Sequence, residues 1–312
     1  MKMIPHPHDL SLKPGLIQVQ GKGNNLKTTH DPKTGWKLNY PNPPVKIYIQ
    51  DELTFVNGKM LEIENYIKYY GESIKDVTFY TDVQGLEKTY KNLNFVYYPD
   101  FSCLHMQDLK RHNVHFTFNG KKEFIFLCLN FNVRLHRDLT VKLLQKFPSK
   151  LISYKARNWH LSEFTDMSMD EYRDYELNNV DILKNTANLL KLKPIFERCQ
   201  FSVVTETRYD LPYTFITEKT TQCFVSLHPA LYVSNKYHVA SMRDYGFDMF
   251  DDIFDHSYDN LNDDIRLNSM IEANKNVLTH GIKDYDKLEN RLKANRNHYF
   301  DVQNKIYKLE KR

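Results

Sequence analysis

Phe201-Ser-Val-Val-Thr-Glu206, followed by Tyr213-Thr-Phe-Ile-Thr-Glu-Lys-Thr220, is the pair of segments on which the reading of this chain turns. The first is a β-rich run. The second opens a helix, with Thr217 and either Thr220 or Gln222 suited to capping its start. A helix start next to a strand end also carries chemistry. Its free N–H groups and dipole attract phosphate, Lys219 adds a mobile positive charge, and Glu218 offers a carboxylate that accepts hydrogen bonds from a ribose diol.

Outward from that pair, strands and helices alternate. Toward the N-terminus, Glu123-Phe-Ile-Phe-Leu-Cys-Leu129 is nearly continuous apolar sequence, as in a strand buried on both faces of a doubly wound sheet. Asn130 to Val133 read as a loop, 135–147 as a helix and 150–154 as the next strand. Further strands are expected at 45–49, 77–80, 95–98, 199–205 and 230–233. Further helices are expected at 59–70, 83–91, 217–226, 236–245, 262–278 and 283–309. This alternation predicts parallel sheets with crossover helices. Residues 1–44 contain Pro5, Pro7, Pro14, Pro32, Pro41, Pro43 and Pro44 and read as a basic arm. The expected division is an arm at 1–44, a small α/β domain at 45–118, a larger α/β domain at 119–280, and a charged helix at 281–312 that crosses back toward the first domain. Residues 155–195 are mixed and polar.

Composition narrows the class. The 312 residues are 26% charged and 41% hydrophobic, ordinary for a folded globular protein, and the 10 glycines exclude collagen-like or Gly-rich repeats. No run of apolar residues is long enough for a transmembrane helix, and Met1 to His8 lacks the apolar core of a signal peptide. Cys103, Cys128, Cys199 and Cys223 show no CxxC or zinc spacing and read as buried free thiols of a cytoplasmic protein. No GxxxxGK[ST] loop is present, which disfavours a P-loop kinase. The formal net charge is +4, unevenly spread. Residues 1–40 hold six Lys against two Asp, residues 110–150 nine Lys/Arg against two acids, and residues 241–272 nine acids against two Arg. A basic centre of this kind suits phosphate or nucleic acid.

In Asn130-Phe-Asn-Val-Arg-Leu-His-Arg137 the loop between a buried strand and a helix carries Arg134, His136 and Arg137. Ligands of parallel sheets bind at the carboxyl ends of strands, and guanidinium groups bind phosphate bidentately. Asp255-His-Ser-Tyr-Asp259 reads as an ordering segment. Asp251-Asp252 and Asp263-Asp264 lack the Asp-x-Asp form at a strand end, so no metal site is expected.

The order of these blocks resembles nucleotide-sugar-dependent glycosyltransferases of the GT-B type. It is most similar to the compact group of phages and large viruses, which shares its Ile-Thr-Glu-Lys block with α1,3-fucosyltransferases. The resemblance covers residues 120–270. It implies an α/β fold of two Rossmann-like parallel-sheet domains facing a cleft, the first one small. It also implies a nucleotide-diphosphate sugar as donor substrate, with no separate cofactor. By resemblance, Asn130, Arg134, His136, Arg137 and Lys219 hold the diphosphate, Glu218 the ribose, and Glu206 and Thr217 complete the donor site. Fucosyltransferases carry Glu-Asn-Ser where this chain reads Glu206-Thr-Arg208.

An inverting transfer needs a base for the acceptor hydroxyl. Asp51, Asp82 and Asp100, at strand ends of the first domain, are three candidates among which the sequence does not choose. The acceptor implied by the phage enzymes is a hydroxymethylated pyrimidine, such as hydroxymethylcytosine, in double-stranded DNA. The basic arm and the tail from Lys305 to Arg312 would contact phosphate. Glycan, lipid-linked or protein acceptors remain open, as does a non-catalytic nucleic-acid-binding protein with a degenerate transferase fold. Neither oligomeric state nor stereochemistry is legible.

Overall fold

The computed structural model describes residues 18–21, 24–25, 29–31, 35–37, 46–49, 55–56, 59–81, 83–97, 116–130, 134–152, 192–211 and 213–310. Asp51, Asp82, Asp100, Cys103, most of the arm and nearly all of 155–195 lie outside them. The chain divides into two compact units, Met1–Asp100 with Ile306–Arg312, and Phe101–Lys305. Both are α/β, and the first is the smaller.

The first unit contains β1 (Gln18–Gly21), β2 (Asn24–Asn25), β3 (Lys46–Ile49), helix α1 (Leu61–Tyr70), β4 (Thr78–Thr81) and β5 (Asn94–Tyr97). Their order in the sheet is β5-β4-β3-β1-β2. The three central and edge strands β5, β4 and β3 run parallel, and β1 and β2, which come from residues 1–44, add an antiparallel edge. Ile63 and Tyr66 of α1 are buried, as is Phe79 of β4, whose ring meets Tyr66 edge-on. The helix expected at 83–91 does not form. Gly85 takes a left-handed φ of 90°, which ends helical continuity, and only a 3₁₀ turn at Leu86–Lys88 follows.

The second unit contains β6 (Phe124–Cys128), α2 (Leu135–Leu144), β7 (Lys150–Ile152), β8 (Cys199–Thr205), α3 (Glu218–Val225), β9 (Ala230–Val233), α4 (His238–Asp244), α5 (Asp263–Ala273), α6 (Lys275–His280) and, as far as Lys305, α7 (Glu289–Glu310). The four strands are all parallel, in the order β7-β6-β8-β9. Period-two alternation sends Phe126, Phe201, Val203, Leu231 and Val233 to one core and Leu127, Val204, Ala230 and Tyr232 to another. Both faces of β6 and β9 are covered, which is why these two strands read as continuous apolar runs. Helices α5 and α6 cover the first face through Leu267, Met270, Ile271, Val277 and Leu278. Phe224 of α3 and Val239 and Met242 of α4 cover the second.

The helix expected at 262–278 is two helices. The Asn274 side chain accepts from Asp255 N at 2.9 Å and donates to Asp255 O at 2.8 Å, fixing a break between α5 and α6. The stretch 283–309 begins instead as a 3₁₀ turn at Tyr285–Leu288, because Asp284 has a left-handed φ of 55°.

Candidate functional site

The strand order of the second unit places its ligand crevice. The chain passes from β6 to β7 on one side, then to β8 on the other side of β6. Connections therefore diverge between β6 and β8, and a parallel sheet opens a crevice beyond the carboxyl ends of strands at that point. Asn130 follows β6, and Thr205 and Glu206 end β8. Their side chains meet there, with the Thr205 hydroxyl donating to Asn130 Oδ1 at 2.6 Å. Helices α2 and α3 both start at this edge.

Glu206 lies fully buried beneath the start of α3. Its Oε1 accepts from Thr217 N at 3.3 Å and from the Thr220 hydroxyl at 2.5 Å. Its Oε2 accepts from Thr207 N at 3.2 Å and from the Thr217 hydroxyl. Four donors fill both oxygens, which offsets the cost of burying the carboxylate. The Thr217 oxygen in turn accepts from Lys219 N at 3.3 Å, the side-chain cap expected at a helix start. Glu206 thus sets the angle at which the first turn of α3 leaves the sheet.

Lys219 is the cation of that turn. Its Nζ donates to Glu218 Oε1 at 2.8 Å, Thr207 Oγ1 at 3.0 Å and Thr217 Oγ1 at 3.2 Å. Both Lys219 and Glu218 keep more than a fifth of their side-chain surface exposed, at 23% and 22%. They are the accessible pair above the buried Glu206.

From α2, His136 Nε2 donates to Glu206 O at 2.9 Å, and its ring stacks on Tyr209 at 5.4 Å. A carbonyl only accepts, so Nε2 carries a proton. Burial depresses its pKa to about 4, reinforced by the charges of Arg137 and Arg134, against the pull of that carbonyl. Arg137 is buried, with NH2 donating to Thr205 O and Glu206 O, both at 3.3 Å. It ties α2 to the end of β8 instead of standing in solvent. Arg134 precedes α2 in extended backbone and is partly exposed.

A third wall comes from the segment after β9. The buried Asn235 accepts from Phe215 N at 3.4 Å. His238, also fully buried, donates from Nε2 to Thr220 Oγ1 at 3.2 Å, since the Thr220 proton is committed to Glu206. Asp259 caps α4 by accepting from Val239 N at 3.0 Å and Ala240 N at 2.9 Å. The Tyr258 hydroxyl accepts from Tyr232 N at 3.2 Å. The segment Asp255–Asp259 therefore orders this wall. Sequence reasoning passed over Thr207, and over Asn235 and His238, which only the pairing of β8 with β9 brings beside α3 and the loop before it.

The site residues expected from sequence thus gather at one sheet edge: Asn130, Arg134, His136, Arg137, Glu206, Thr217, Glu218 and Lys219. Asp51, Asp82 and Asp100 lie outside the described residues. Asp251 pairs with Arg243, Asp252 with Arg291, and Asp263 with Arg266. Among the described residues, no group of three or more His, Cys, Asp or Glu is arranged to hold a metal ion, and no helix is long and apolar enough to cross a membrane.

No protein-family model and no curated protein matches the chain. One solved structure with which it shares similarity is that of the DNA-modifying enzyme β-glucosyltransferase, whose substrate is uridine diphosphoglucose. The match covers 76% of this chain and 67% of that chain, at 11% identity and a TM-score of 0.34. A likeness of that size carries no argument about the site.

Proposed function

We propose that the protein is a glycosyltransferase that moves a sugar from a nucleoside-diphosphate sugar to a hydroxyl acceptor. The observation that supports this most is the convergence, at the switch point between β6 and β8, of two helix starts. They bring His136 and Arg137 onto the Glu206 carbonyl and Lys219 onto Thr217, whose hydroxyl bonds the buried Glu206 carboxylate, with Arg134 at the start of α2. In transfer, the bond from the anomeric carbon to the diphosphate oxygen breaks, and its electron pair leaves with the nucleoside diphosphate. The dipole of α3 and the Lys219 ammonium, which exchanges its bonds to Thr207 and Thr217 for phosphate oxygens, stabilise that developing charge. Glu218 accepts from the ribose hydroxyls. Arg137 and Glu206 act beneath them, holding the end of β8 and the start of α3 in place.

The acceptor oxygen forms the new bond to the anomeric carbon. In an inverting reaction its proton passes to a carboxylate, for which Asp51, Asp82 and Asp100 are the candidates. The acceptor is proposed to be a hydroxymethylated pyrimidine in double-stranded DNA, a reading supported by the six lysines among residues 1–40.

The test is incubation with UDP-, GDP- or CDP-sugars and a duplex oligonucleotide containing hydroxymethylcytosine, followed by mass spectrometry of the DNA. Gain of one glycosyl group, lost in Lys219→Ala, is the expected result. Donor binding without transfer would reject the DNA acceptor and keep the transferase. Duplex binding without response to any nucleotide sugar would replace the transferase with a nucleic-acid-binding protein of degenerate fold.

A further inference from the structure

We propose that the Tyr237 ring is the platform on which the nucleobase of the nucleotide stacks, an assignment that rests on reading the α3 edge as a nucleotide-sugar site. Tyr237 follows β9 and immediately precedes α4. Among the described residues, the exposed large hydrophobics are Val96, Leu135, Leu139, Ile265 and Tyr237, and Tyr237, at 47% exposed, is the aromatic one. Its ring does not serve the core.

Its backbone is held in a conformation an L-residue adopts only under constraint. Tyr237 has φ 64° and ψ 18°, in the left-handed region. The constraint is visible on both sides of the residue. Its N–H donates to Asp259 O at 2.9 Å, and its carbonyl accepts from Ser241 N and Ser241 Oγ, each at 2.9 Å. An exposed tyrosine at a position where Gly or Asn would sit without strain calls for a use of its side chain.

The surroundings supply the use. Two residues before Tyr237, Asn235 accepts from Phe215 N, and one residue after it, His238 donates to Thr220. Both partners belong to the loop and first turn that present Lys219. Tyr237 is thus carried on the neighbouring strand's loop, between two residues that bond the segment presenting Lys219. The Lys236 ammonium lies 5.3 Å from the ring centroid, a cation–π contact over one face that steadies the ring. Every nucleobase offers a π-face, so an aromatic platform confers affinity for the base without selecting its identity.

The test separates the base from the diphosphate. Isothermal titration with UDP, GDP, CDP and inorganic pyrophosphate is run on the wild type, Tyr237→Gly, Tyr237→Phe and Lys219→Ala. Glycine suits the left-handed backbone, so Tyr237→Gly removes the ring without straining the fold, which its melting temperature checks. The expected result is a loss of about 10-fold or more in affinity for the preferred nucleotide in Tyr237→Gly. Pyrophosphate affinity stays at the wild-type value there, Tyr237→Phe binds as the wild type, and Lys219→Ala weakens both ligands. Equal nucleotide affinity in the wild type and Tyr237→Gly would overturn the platform and leave the nucleotide site standing. A parallel loss of pyrophosphate affinity in Tyr237→Gly would also overturn it, assigning the residue to loop structure. A wild type that binds none of these nucleotides would remove both readings.

Discussion

The amino and carboxyl ends of the four-stranded sheet in the second unit bury the same kinds of groups but dispose of them differently. At the amino end, His228 accepts from the Ser202 hydroxyl at 2.9 Å and donates to Phe196 O at 2.7 Å and Cys199 O at 2.8 Å. Lys122 donates to Glu197 O at 2.9 Å and lies over the Tyr285 ring. Both groups are bonded by the protein itself. At the carboxyl end, a buried layer of Glu206, Arg137, Asn130 and His238 supports an upper layer that stays partly exposed: Lys219, Glu218, Arg134 and Tyr237. Each end also carries a partly exposed ion pair, Arg198–Glu123 at the amino end and Lys219–Glu218 at the carboxyl end. What separates them is position: the second pair lies beyond the carboxyl ends of parallel strands at a switch point, where such sheets hold ligands.

The largest effect that would sharpen this contrast is expected from Glu206→Ala. It strands four buried donors and should cost roughly 3–5 kcal/mol in urea unfolding. A loss below about 1 kcal/mol would mean that the carboxylate is not the foundation of α3. His228→Ala, at the opposite end, should cost roughly 2–3 kcal/mol by orphaning Ser202 and two carbonyls, while the folded fraction keeps its ligand response.

Acid should act mainly through histidines held neutral by burial. The pKa of His228 is lowered to about 3 and that of His136 to about 4. The unfolded chain takes up protons below about pH 6.5, whereas the native sites do so only near pH 4 and 3. Stability should therefore be full above pH 7 and fall as the pH drops from 6.5 toward 4. His228→Gln should flatten a melting-temperature profile across that window. Smallest in stability is Lys219→Ala, expected to change unfolding by about 0–1 kcal/mol because the ion pair is partly solvated, yet to abolish the ligand response.

Much of this architecture is legible in the chain. Strands β6 and β9 were readable because burial on both faces leaves unbroken apolar runs, β8 from its β-branched and aromatic residues, and the start of α3 because Thr217 is a capping residue whose hydroxyl does cap. What failed depended on single backbone angles or distant partners. Gly85 and Asp284 adopt left-handed conformations that no periodicity reveals, and Asn274 breaks a helix through its bonds to Asp255. Within the site, residue types were legible and depth was not. Glu206 and Arg137 look like ligand contacts in one dimension and lie beneath the surface in three, because β8 carries Glu206 under α3 and the inner face of α2 turns Arg137 onto the end of β8. The contribution of His238 and Tyr237 is set by sheet order, which puts β9 beside β8.

The most direct measurement is a thermal-shift series with UDP-, GDP- and CDP-sugars on the wild type and Lys219→Ala. The account predicts that at least one nucleotide sugar raises the wild-type melting temperature in a concentration-dependent way and leaves Lys219→Ala unmoved. A folded wild type indifferent to all of them, or a Lys219→Ala variant stabilised to the same degree as the wild type, would contradict it.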